Sequence, residues 1–239
     1  MRATPFPTFR DTPARPSFLA SLALLLLAVA LCFAGGMAAG YQGGALPRPG
    51  EVTWAMIQAG MPYSACGLLV LFAWQHVRGG IFKAFVGERV LGPLANGLLR
   101  LALTLGIGYA VMRDQGMVPE PYLAQLFDGL APGQVQRLVL QLVLFTAITE
   151  ELLLRHYFMG VLGWQDGGWS KWAAIGASAA LYMSLPLPYE SAWAMVLLMA
   201  IGVIIGIARV NSRGMLVPIV LHGAAMGGVL AVGHWQLAI

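Results

Sequence analysis

The chain has 239 residues, 59% of them hydrophobic and only 10% charged, with a formal net charge of +4 and a mean hydropathy of +0.74. A soluble domain carries about 25% charged residues, so this composition excludes a water-soluble globular fold and marks an all-α polytopic membrane helix bundle. The net positive charge does not signal nucleic acid, because its distribution along the chain matches membrane topology.

Residues 1–17 carry Arg, Pro and Thr and read as a cytoplasmic tail. Beyond them lie seven apolar runs, at about 18–40, 52–76, 95–112, 134–162, 169–187, 191–209 and 215–236, each long enough to be a candidate span. The first resembles a signal peptide in the small residues after it. Its apolar core is longer than an h-region of roughly 7–15 residues, so it reads as a retained anchor. Cys32 and Cys66 fall inside spans and read as small buried hydrophobes, with no disulfide framework and no zinc pair. The stretch RGGIFKAFVGERVLG (78–92) is basic and apolar by turns, as an inner interfacial segment is. Residues 18–133 thus form an N-terminal group of spans and 134–236 a C-terminal core. With the N-terminus cytoplasmic, the inner segments hold Arg2, Arg10, Arg15, Arg78, Lys83, Arg89, Lys171, Arg209 and Arg213, and the outer ones only Arg48 and Arg113. Nine against two predicts N-terminus in, C-terminus out.

The fourth run contains FTAITEELLLRHYFMG (145–160), with two glutamates, an arginine and a histidine mid-run. A charge at mid-bilayer costs about 2.5–3.5 kcal/mol on insertion scales. Glu151 and Arg155 are four apart, acid before base, and share a helix face. Glu150 points about 100° away and lacks that partner. Two readings stay open: an ion pair that locks helices together, or a buried general base, Glu150, whose helix is held by the Glu151–Arg155 pair. His156 points off the Glu150 face and reads as a hydrogen-bonding residue on the cytoplasmic side. A second intramembrane polar group, His222, stands in NSRGMLVPIVLHGAAMGG (211–228). Taken alone it reads as a helix-packing donor. Its depth of about 12 Å, against about 18 Å for Glu150, lets the two meet once tilt is allowed. Gly223, Ala224, Ala225, Gly227 and Gly228 keep its helix thin.

On these residues the chain resembles the CPBP family, the CAAX prenyl protease 2 and bacteriocin-processing (Abi) type of intramembrane endopeptidase. Glu150, Glu151 and Arg155 match its first motif, EExxxR, and NSRGMLVPIVLH reproduces the approach to its third, a histidine four residues before an asparagine. The resemblance covers roughly residues 134–230. It implies a bacterial inner membrane location, Glu150 as the base that activates water, His222 as an oxyanion donor, and Glu151 and Arg155 as structural support. No cofactor or metal is implied; the partners are membrane lipid and a membrane-associated peptide or protein client. Two positions depart from the pattern. In ASAALYMSLPLP (177–188) the aromatic of the second motif, FxxxH, falls on Tyr182, which puts Pro186 in the histidine position; Met226 stands where the third motif has asparagine. His76 and His234 lie at span ends and do not substitute, and Tyr182 is a poor base. The expectation is an intramembrane endopeptidase with weakened or lost activity. Its rivals are a non-catalytic scaffold or immunity-type protein of the same fold, and a proton-coupled carrier, which would want an inverted repeat that the sequence lacks.

Overall fold

The computed structural model describes residues 17–41, 59–116, 127, 129–184 and 191–237; among them there is no strand. α1 spans Phe18–Gly40, and the Ser17 hydroxyl caps it by accepting from the Ala20 amide. α2 is Met61–His76, with Pro62 in its first turn where a missing N–H costs nothing. A short α3, Ile81–Val86, precedes α4, Leu91–Asp114. α5 runs without a break from Pro132 to Val161. α6 is Gly168–Ser184, α7 Ala192–Ser212 and α8 Leu216–Leu237. All seven predicted apolar runs therefore coincide with a helix, although residues 52–58 and 185–187 of two of them lie outside the described residues.

Three segments are long and apolar enough to cross a membrane by length and composition: Phe18–Gly40, Ile81–Asp114 (α3 with α4) and Ala192–Ser212. The outward faces suit hydrocarbon. Leu26, Leu27 and Phe33 on α1, and Leu99, Leu103 and Ile107 on α4, are exposed, a patch that a water-soluble monomer does not carry. On α2, Tyr63, Cys66, Val70 and Trp74 form an exposed stripe opposite buried Met61, Ala65, Leu68 and Phe72. This corrects the expectation for the cysteines. Cys66 is exposed and Cys32 half-buried, and both are free thiols; a small apolar thiol is as compatible with a lipid-facing stripe as with a core.

α5 occupies the middle. Leu152 joins Leu68, Phe72 and Met215 in one apolar cluster with α1 and α2, while Leu154 joins Leu101, Tyr182, Ile205 and Leu221 in another with α4, α6, α7 and α8. The most extensive pairings are α6 with α7 and α1 with α2. The segment expected at the interface does form a short helix, and both its end and the residues after it are tied down. Met215 N donates to Phe85 O at 2.7 Å, and Glu88 N donates to Ser212 O at 2.9 Å. Gly87, at φ 88°, lies backbone to backbone against Gly214, with no space for a side chain on either. The chain after α3 thereby fixes the α7–α8 turn, and with it the start of the helix that carries His222.

Candidate active site

The helix that carries the charges is irregular where they sit. Between Pro132–Leu140 and Met159–Val161 it alternates: Gln141–Thr146 and Leu152–Phe158 are π-helical, and Ala147–Glu151 between them is α-helical. π segments are rare and concentrate at functional sites, because the i→i+5 pattern pushes an extra residue into the turn and re-aims side chains. Thr146 Oγ1 donates to Gln141 O at 3.3 Å, five residues back. Thr149 Oγ1 donates to Met61 O at 3.3 Å and anchors the short α segment to the start of α2.

The two glutamates point to one histidine. His222 Nδ1 lies 2.8 Å from Glu151 Oε1, and His222 Nε2 lies 3.7 Å from Glu150 Oε2. On the far side of Glu151, Arg155 Nε is 3.5 Å from Oε2, an ion pair longer than a hydrogen bond. The guanidinium makes its hydrogen bonds elsewhere: Nη1 donates to Ser178 O at 3.3 Å on α6, and Nη2 donates to Gly202 O at 3.0 Å on α7. Gly202 is needed for that approach, since a Cβ there would meet Ala179 Cβ at 3.0 Å. The Tyr182 ring stands edge-on to His222, centroids 5.5 Å apart, and Arg155 Cζ is 5.9 Å from the same ring. Glu151 and Arg155 have no solvent exposure, whereas the Glu150 side chain keeps 11%. Chemically this is one paired carboxylate, one carboxylate in limited contact with solvent, and an imidazole between them. Among the described residues, no group of three or more His, Cys, Asp or Glu side chains could hold a metal ion.

Glu150, Glu151, Arg155, Tyr182 and His222, all singled out from sequence, thus lie together. Met226 is half-buried one turn beyond His222 on α8, and Pro186 lies outside the described residues. His156 turns away, as its position along the helix implies, and pairs with Gln75 Oε1 at 2.8 Å. Sequence reasoning missed three things. Glu151 holds His222 as well as Arg155; the acceptors of Arg155 are backbone carbonyls, which have no sequence signature; and Tyr182 packs on both charged partners. The family pattern already marked Tyr182 as the aromatic position, so its location was the findable one.

Residues 134–226, from near the start of α5 into α8, match the family model described as type II CAAX prenyl endopeptidase Rce1-like. A protein of Escherichia coli described as an uncharacterized 24.3 kDa protein is 25% identical over 103 residues, covering 43% of this chain and 47% of that one. The chain thus spans about half the length of the curated relative it matches. No solved structure matches it.

Proposed function

Starting from an Rce1-like segment at residues 134–226, we propose that this protein is an intramembrane endopeptidase of reduced turnover that acts on a membrane-associated peptide or protein. Glu150 is the general base. It is the one carboxylate of the cluster with solvent contact, and its Oε2 faces an imidazole nitrogen at 3.7 Å, a separation within what catalytic contacts show before substrate tightens them. The observation that carries the reading is the clamp on His222. With Arg155 paired on its other oxygen, Glu151 serves as the acceptor and His222 Nδ1 donates to it at 2.8 Å. That bond fixes the ring and its tautomer, and directs Nε2 to the Glu150 side. Glu150 takes a proton from water as the water oxygen attacks the peptide carbonyl; passed to His222 Nε2, that proton is donated to the oxyanion and then goes to the leaving nitrogen as the tetrahedral intermediate collapses and the C–N bond breaks. Glu151 is then a positioning residue for the imidazole as well as a brace for its own helix, with Arg155 on its far side.

Turnover is reduced because two polar groups are replaced. With Pro186 and Met226 in the histidine and asparagine positions, one acid–base contribution of about 10²–10⁴-fold and one oxyanion donor of about 10²–10³-fold are absent. The same substitutions favour the competing reading, a member of the fold that holds a client without cutting it. One experiment separates them. The full chain in liposomes is given a library of membrane-anchored peptides, and cleavage products are read by mass spectrometry. Slow cleavage that Glu150→Gln abolishes, and that Pro186→His with Met226→Asn raises at least tenfold, supports the peptidase. Client retention with no cleavage in any of these variants supports the scaffold.

The same reading places the protein in the inner membrane of a bacterium with N-terminus in and C-terminus out, on the nine-to-two distribution of Lys and Arg. Residues 134–236 form the peptidase core, and residues 18–133 are the spans that flank it.

A further inference from the structure

Away from the glutamates, a second polar cluster surrounds a cavity of about 690 Å³ between the inner ends of α1, α2, α5 and α7. Its central group is Arg209, which is only 6% exposed. Among the described residues, Arg209 Nε and Nη1 are buried without a hydrogen-bond partner. The guanidinium lies 4.9 Å from the centroid of the Trp164 ring. A guanidinium cannot shed its charge, and a buried cation whose donors go unused is costly enough to be rare. His76 and His156, with ring centroids 5.2 Å apart, and Gln75 supply further polar groups to the same cavity. Exposed Phe18 and half-buried Leu24 on α1 give it an apolar flank.

The depth of the cavity is marked by Trp164 in its lining and by the residues that follow it in the chain. The turn after α5 carries Trp164, and the first turn of α6 carries Trp169, Lys171 and Trp172, with Trp169 82% exposed. Tryptophans gathered with a lysine are the residues of the headgroup region. We propose that this cavity binds the phosphodiester of an anionic phospholipid, with Arg209 as its counter-charge and the acyl chains laid along Phe18 and Leu24. Asp166 also lines the cavity. A second cavity, of about 630 Å³ between α4 and α7, is lined by Arg89, Arg100 and Arg213. Those cations are exposed, and Arg213 already pairs with Glu88 at 3.0 Å, so that face serves as the control.

The test uses the full-length chain, delipidated in a neutral detergent and titrated with phosphatidylglycerol, phosphatidylcholine or inorganic phosphate. Native mass spectrometry counts bound lipid, and thermal melting reports stabilisation. The wild type retains one phosphatidylglycerol in preference to phosphatidylcholine, and inorganic phosphate does not raise its melting temperature. Arg209→Gln lowers that retention about fivefold or more, the weight of one arginine against an anionic lipid; Arg209→Lys keeps part of it, and Arg100→Gln leaves it unchanged. Equal retention by the wild type and Arg209→Gln, or a loss with Arg100→Gln alone, overturns the proposal. Stabilisation by inorganic phosphate equal to that by phosphatidylglycerol overturns the lipid as the source. Should Arg209→Gln fail to fold, Gln75→Ala and His76→Ala decide, and undiminished retention in both refutes the site.

Discussion

Glu150 and Glu151 are neighbours in sequence with opposite surroundings. Glu151 is sealed between Arg155 and His222, while Glu150 keeps partial exposure and, among the described residues, a long contact to His222. Substitution should separate them. Glu151→Gln and Arg155→Ala each leave a buried charge uncompensated, an effect of about 3–5 kcal/mol, and the folded yield in detergent should fall steeply for both. Glu150→Gln removes a charge that nothing nearby fully balances, so its folded yield and melting temperature should match or exceed those of the wild type. A Glu150→Gln as damaged as the other two would make Glu150 structural and remove the base from the mechanism. The histidine adds a discriminating case. His222→Gln should cost stability, through Glu151, and lower any cleavage, whereas Met226→Leu should change neither. Fluorescence-detected gel filtration and the liposome assay read the two effects separately.

Among the elements, α5 was legible for the reason that makes it important. Charges inside an apolar run are costly, so the EExxxR run stood out from its flanks, and its i,i+4 pair forms as the spacing predicts. The rest of its behaviour depends on other helices. The angular argument on one ideal helix denied Glu150 the Arg155 pairing, and depth along the helices let it meet His222, which lies 3.7 Å away; neither showed that Glu151 makes the closer contact to that histidine, and the flanking π segments change the turn on which such arguments rest. The Arg155 acceptors are carbonyls of Ser178 and Gly202, and any residue has a carbonyl. Cys66 was misplaced because hydrophobicity does not tell a lipid face from a protein face. The contact between α6 and α7 gives a prediction at this scale. Gly202→Ala forces a methyl to within 3.0 Å of Ala179 Cβ, overpacking of about 1–3 kcal/mol, and lifts the carbonyl from Arg155. The melting temperature should drop, and Ala179→Gly in the same chain should recover part of the loss. Additive losses in the double variant would show that the two residues do not meet.

For the whole molecule, the arrangement of charge predicts topology. Reporter fusions after residues 45, 90, 122 and 239 should report outside, inside, outside and outside, on seven crossings and the positive-inside bias. A cytoplasmic reporter at residue 239 would mean that one of the seven helices does not cross.

The Arg155 contacts also set an order in time. The charges of α5 enter the membrane before the groups that neutralise them exist, because the chain is made from its N-terminus. Gly202 comes 47 residues after Arg155, and His222 comes 71 after Glu151. At about 5–20 residues per second of synthesis, α5 waits roughly 1–5 s for Ser178 on α6, roughly 2–10 s for Gly202 on α7 and longer for its histidine. Until Ser178 is made the pair has only itself, inside a medium that penalises each charge. A chain arrested before residue 202 therefore carries a span that is unfit to be released alone. Proteins truncated before residue 202 should remain crosslinked to the insertion machinery or be degraded, while those truncated beyond residue 230 should fold in the bilayer.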